Sequence, residues 1–201
     1  MVDGGGLVGV ISQTDLLARG RDGTVADHMT SPVLTVSGGA TLREAAQRML
    51  ERHIHRVYVV DDGLVGVLST RDIMAAVAEA KVATPVSSRM STPVLAVEVG
   101  TPLGQAKERL RQAHVTGLVV AEDGWPVGVL AQSDALAAGA DADPVDRYMD
   151  PALFCVDAAL PLHRAAAQAV RMRARRVIAC RHREMVGMLS GLDFARAVAE
   201  G

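Results

Sequence analysis

A chain of 201 residues with 49% apolar content can bury one large core or two ordinary ones, and with 2% aromatics that core must be Val, Leu, Ala and Met. A net charge of −2 argues against bulk attraction to nucleic acid or anionic membrane, and two cysteines make no disulfide framework. No apolar run reaches the ~18–20 residues of a bilayer span, and the start Met1-Val2-Asp3-Gly4 has neither the basic residues nor the apolar stretch of a signal peptide, so a cytoplasmic location is expected.

The first recognisable phrase is Gly9-Val10-Ile11-Ser12-Gln13-Thr14-Asp15, an apolar strand that ends on a hydroxyl with Asp three places later. It returns as Gly66-Val67-Leu68-Ser69-Thr70-Arg71-Asp72, as Gly128-Val129-Leu130-Ala131-Gln132-Ser133-Asp134, and as Gly187-Met188-Leu189-Ser190-Gly191-Leu192-Asp193. A period of roughly 60 residues means stacked supersecondary units. The first unit is present only as its second half, from Gly6 to Ala18.

The second unit opens at Val25-Ala26-Asp27-His28-Met29-Thr30-Ser31-Pro32 and predicts a strand over 33–36. Thr41-Leu42-Arg43-Glu44 has the form of a capping box, and Leu42, Ala45, Ala46, Met49 and Leu50 then share one helical face. Arg56 to Val60 is a β-rich run, Asp61-Asp62-Gly63 a turn and Leu64 to Leu68 the returning strand, before a second helix over 70–80. The third unit repeats this order from Val86 to Ala138, with Pro102 expected at the first position of its helix. The fourth does so from Val145 to Glu200, and 78–85 and 139–144 read as short linkers. Expected boundaries are 1–20 (half a unit), 21–83, 84–142 and 143–201. The fold class is α/β (α+β), each unit strand-helix-strand-strand-helix with a small mixed sheet.

These residues resemble the cystathionine-β-synthase (CBS) domain family. The second unit carries the whole pattern, in Met29-Thr30-x-Pro32, Thr41-Leu42-x-x-Ala45, Arg56-Val57-x-Val59-Val60-Asp61 and Gly66-Val67-Leu68-Ser69-x-Arg71-Asp72. The resemblance implies tandem repeats working in pairs, one with two and three with four, stacked into a disc within one chain or across a homodimer. It implies a non-catalytic regulatory role in which clefts between repeats bind adenosine-containing ligands: AMP, ADP, ATP or S-adenosylmethionine. Such a nucleotide would be a regulatory ligand rather than a required cofactor, and an unknown protein partner would read its binding. By this resemblance Asp72 bonds ribose, Ser69 and Arg71 contact phosphate, and Thr30 and Val33 lie near the adenine, with His55 and Arg56 beside the same cleft. A carboxylate can accept from two vicinal hydroxyls, and a helix start offers free N–H groups to phosphate. In the fourth repeat Ser190 and Asp193 remain, Leu192 replaces the arginine, and Arg175 with Arg176 could supply charge. The third keeps Asp134 with Ala131 in place of the hydroxyl. The first has Ser12 and Asp15 without the half-repeat expected to cover the adenine.

Other readings stand beside this one. Ser-x-x-Asp also serves as a helix cap. Without a ligand, the same fold would be an interaction scaffold or a detached regulatory module of an enzyme or transporter. The arginines from Arg164 to Arg183 crowd the fourth repeat and give a nucleic-acid reading, but Arg171, Arg173 and Arg175 do not share one helical face and no aromatic stands among them. His28, His53 and His55 have no ligand partners at metal-site spacing, and no nucleophile with an evident base or phosphate-binding loop points to an enzyme. Cys155 and Cys180, in apolar strand contexts, are expected to be buried and inert.

Overall fold

The computed structural model describes residues 1–4, 6–20 and 22–201. The chain begins with an antiparallel pair, β1 (Val2–Asp3) and β2 (Gly6–Leu7), followed by α1 (Gln13–Arg19) and a single turn, α2 (Val25–His28). The first complete block is β3 (Thr35–Val36), α3 (Leu42–Glu51), β4 (Arg56–Val60), β5 (Leu64–Ser69) and α4 (Thr70–Glu79). The same order returns as β6 (Ala96–Glu98), α5 (Leu103–Gln112), β7 (Gly117–Glu122), β8 (Trp125–Ala131) and α6 (Gln132–Ala137). It returns again as β9 (Cys155–Asp157), α7 (Leu162–Met172), β10 (Arg176–Arg181), β11 (Glu184–Ser190) and α8 (Gly191–Glu200).

Each block makes one three-stranded sheet. Strands joined through a helix run parallel (β3 with β4, β6 with β7, β9 with β10), and those joined by a tight turn run antiparallel. The first helix of every block ends the same way, on a residue with positive φ: His53 at 51°, His114 at 52° and Arg173 at 56°. The next amide then folds back on the last turn, as Ile54 N to Met49 O (2.9 Å), Val115 N to Leu110 O (3.2 Å) and Ala174 N to Ala169 O (2.9 Å). This satisfies carbonyls that the helix end leaves open.

Two local expectations change. The strand expected over 33–36 is only Thr35–Val36, because it pairs with Tyr58 and Val59 alone and Pro32 has no amide to offer a ladder. Pro102 is the N-cap of α5, with extended backbone at φ −58° and ψ 135°, and Pro161 has the same place before α7. No capping side chain is needed there. Leu103 N and Gly104 N donate to Asp143 O (2.8 Å) and Asp141 O (2.9 Å), and Leu162 N and His163 N donate to Thr84 O (2.8 Å) and Val82 O (3.0 Å).

The blocks distribute over two compact units. One comprises Met1–Val33 and Leu95–Leu153. Its core is Leu103, Ala106, Leu110, Leu118, Val120 and Leu130, with Leu17 of α1 packed on it. The other comprises Leu34–Val94 and Phe154–Gly201. There α4 packs on α7 and α8, and α3 on α8. Ala45, Ala46, Ala165, Ala166 and Ala169 let these helices approach closely, and Phe194 and Met49 fill the space between. Burying Phe194 alone contributes about 2–3 kcal/mol.

The expected pairing of one with two and three with four holds for the segments that open each repeat and not for the cores. The openers Met29-Thr30-Ser31-Pro32, Met90-Ser91-Thr92-Pro93 and Met149-Asp150-Pro151 bridge to Val10, Met188 and Val129, which belong to repeats one, four and three. The helical cores instead join repeat two with four, and the half-repeat with three. An apolar helical face in the sequence says that a partner exists without saying which.

Candidate functional site

At the start of α4, Asp72 Oδ2 accepts from the Ser69 backbone N–H (2.8 Å) and from the Ser69 hydroxyl (2.6 Å). The pattern recurs at α8, where Asp193 Oδ2 accepts both Ser190 donors at 2.7 Å, and at α1, where Asp15 Oδ2 takes the Ser12 N–H (2.7 Å) and hydroxyl (2.5 Å). At α6 the backbone bond survives alone, Ala131 N to Asp134 Oδ2 at 2.9 Å. The carboxylate thus satisfies the N-cap amide in every repeat, so Ser-x-x-Asp has a local structural role.

The second carboxylate oxygen distinguishes the repeats. Thr30 donates its hydroxyl to Asp15 Oδ1 at 2.8 Å, and Ser91 donates to Asp193 Oδ1 at 2.7 Å, with Arg196 paired to the same oxygen at 3.1 Å. Thr30, expected beside Asp72, therefore serves Asp15, and half-buried Val33 belongs to the same unit as Asp15. The first half-repeat, expected to lack a cover, has one in the opener of repeat two. Each opener reaches to a strand of another repeat, Thr30 back to repeat one and Ser91 forward to repeat four, which sequence proximity to Asp72 concealed. Ser91 was missed, although it holds the place in its opener that Thr30 holds in another. Burial works against charge on Asp15, but hydrogen bonds from Ser12 and Thr30 outweigh it and hold the carboxyl below the usual aspartate range. The Ser69 hydroxyl lowers Asp72 in the same way.

In the unit built from repeats two and four, the first turns of α4 and α8 abut. Gly191 lies so close against Thr70 that a Cβ on it would overlap the threonine side chain. Register places Arg56 across from Ser69 on the β4–β5 hairpin and Arg176 across from Ser190 on the β10–β11 hairpin. Thr70 N donates to His55 O at 3.0 Å, tying the helix start to the strand start. His55 shows the field there. Burial, and then the charges of Arg176, Arg56 and Arg175, push its imidazole down to about 4, against a smaller upward pull from Asp193. His55, Arg56, Ser69, Arg175, Ser190 and Asp193 are therefore brought into one unit as two copies of one arrangement. Arg71 is engaged otherwise. Its guanidinium donates to Val170 O (3.3 Å) in the last turn of α7, where the helix end favours a cation, rather than standing free for phosphate.

The starts of α4 and α8 thus lie against each other, with His55, Arg56, Arg175 and Arg176 in the same unit, and helix starts offer N–H groups and a positive dipole to anions. The open concavities of about 440 and 620 Å³ lie elsewhere, around Thr101 and Arg109 and around Glu44 and Arg48, and no candidate residue lines them. Cys155, expected to be buried, is exposed on β9, the edge strand of its sheet, with Cys180 half-buried beside it. Among the described residues no helix is long and apolar enough to cross a membrane.

The family model for the CBS domain matches residues 25–79 and 86–141. The CBS domain-containing protein YhcV of Bacillus subtilis is 32% identical over 114 residues, spanning 55% of this chain and 81% of that protein. Inosine-5'-monophosphate dehydrogenase of Nitrosopumilus maritimus is 39% identical over 69 residues, 33% of this chain and 14% of that enzyme, so the match covers only a small part of the relative. Among solved structures, protein MJ1225 of Methanocaldococcus jannaschii superimposes with a TM-score of 0.84 at 15% identity, covering 96% of this chain and 84% of that one, a likeness of fold. The structure of CBSX2 in complex with AMP matches with a TM-score of 0.53 at 25% identity, covering 58% of this chain and 97% of CBSX2.

Proposed function

The chain belongs to the CBS domain family, and we propose that it is a non-catalytic regulatory module that binds an adenosine-containing nucleotide in the unit formed by repeats two and four. The observation that carries this is the meeting of Thr70 and Gly191 at the starts of α4 and α8, beside His55, whose imidazole is held low by burial and then by the charges of Arg176, Arg56 and Arg175. An anionic ligand balances those charges. Its phosphate meets the positive ends of the two helices and takes charge from Arg56, Arg175 and Arg176. The Asp72 carboxylate is the acceptor for ribose hydroxyls. The AMP bound by CBSX2, a family relative, supports this ligand class.

Binding between two repeats changes their relative stability, and a protein partner reads the change as a population shift. A thermal-shift panel with AMP, ADP, ATP, S-adenosylmethionine, adenosine and GTP tests the reading. Ligand at ~100 times its Kd stabilises a one-site protein by ~2.7 kcal/mol, a midpoint rise of several degrees. No rise with any of the six would leave the family's scaffold role in its place.

A further inference from the structure

Three of the four Gly-strand phrases carry a second segment on top of them. Met29 sits on Gly9, Met149 on Gly128 and Met90 on Gly187, in each case so closely that a methyl on the glycine would overlap the methionine sulfur. Beside each glycine the opener adds a two-bond bridge to the strand: Thr30 with Val10 (3.1 and 2.7 Å), Asp150 with Val129 (both 2.9 Å) and Ser91 with Met188 (2.9 and 3.1 Å). Gly9, Gly128 and Gly187 are all buried. The glycine is there because only a residue without Cβ admits the methionine.

The fourth phrase keeps the glycine and lacks the methionine. A Cβ on Gly66 would meet nothing within 4 Å. Val67, which pairs with Tyr58 as Met188 pairs with Ile178, is 51% exposed where Met188 is 8% exposed. Val65 (63%) and Leu64 (42%) are open as well, on the outer strand of the sheet β3-β4-β5. Such an edge, with outward N–H and C=O groups and apolar side chains, is a template for another strand.

We propose that the β5 edge is a docking site for a fourth opener, an extended segment of the form Met-Ser/Thr-x-Pro from outside these 201 residues. All three openers within them are already seated. The methionine would fill the space over Gly66, the next residue would make the two-bond bridge to Val67, and its hydroxyl would donate to Asp72 Oδ1. That donation is the one Thr30 makes to Asp15 and Ser91 makes to Asp193. The Met149-Asp150-Pro151 form has no hydroxyl to give and is the poorer occupant.

The test is a labelled synthetic peptide with the sequence of residues 87–96, titrated into the full chain by fluorescence anisotropy. Saturable binding is expected, at least tenfold weaker when the peptide's Met is replaced by Ala. On the protein side, Gly66→Ala should melt like the parent, since the space is open, yet bind the peptide at least tenfold more weakly. Equal binding by parent and Gly66→Ala, or no saturable binding, would overturn the proposal. So would a chain that sediments as a dimer which Gly66→Ala dissociates and the peptide does not.

Discussion

Thr70 and Gly191 open two helices that start against each other, and neither position tolerates more volume: Thr70 is 8% exposed and Gly191 has no room for a Cβ. Repeats two and four meet there through their helix starts, with Arg56, Arg175 and Arg176 in the same unit.

Gly191→Ala should destabilise the chain by about 1–3 kcal/mol, because the methyl forces Thr70 and the first turn of α8 apart in a packed region. Urea denaturation checks this. The same displacement should weaken nucleotide binding, whereas an equally destabilising change in the other unit's core, such as Leu110→Val, should leave affinity unchanged.

His55 makes stability depend on pH. Its folded value is about 4 against an ordinary histidine value of 6.5, so the unfolded chain takes up a proton that the folded chain refuses. The contribution is fully present above pH 6.5 and is lost as pH falls from there through about 4, on the order of 3 kcal/mol at most. His55→Gln should flatten that part of the curve. Saturating nucleotide should flatten it too, because a bound phosphate raises the imidazole and lets it protonate in the folded state.

The two opener hydroxyls should differ in worth. Ser91→Ala leaves an oxygen of buried Asp193 with Arg196 alone and should cost about 1–3 kcal/mol. Thr30→Val removes a bond at the more open Asp15 and should cost about 0.5–1.5 kcal/mol. It should also raise the Asp15 titration seen by NMR, while Ser91→Ala leaves Asp15 where it was.

The repeat order was legible because its signals are local: the Thr41–Glu44 box, the Ser-x-x-Asp phrases and the turn at Asp61-Asp62-Gly63 each act within a few residues. Pairing was not. The apolar faces of α3 and α7 look alike, and nothing in them tells a helix to choose repeat four over repeat one. The site was half legible for the same reason. Ser69 with Asp72 and Ser190 with Asp193 could be read from spacing. The reach of Thr30 to Asp15, the diversion of Arg71 to Val170 and the contact of Thr70 with Gly191 all depend on which repeats pack together.

The most direct measurement is isothermal titration of AMP and of adenosine into the parent chain and into the double variant Arg56→Ala/Arg175→Ala. If the phosphate lies at the starts of α4 and α8, AMP binds the parent at least tenfold more tightly than adenosine, and the variant loses that advantage while keeping adenosine. Removing charge-assisted bonds of about 1.5–3 kcal/mol corresponds to a tenfold loss or more. Equal affinity of the parent for AMP and adenosine, or an AMP preference that survives both substitutions, would contradict the account.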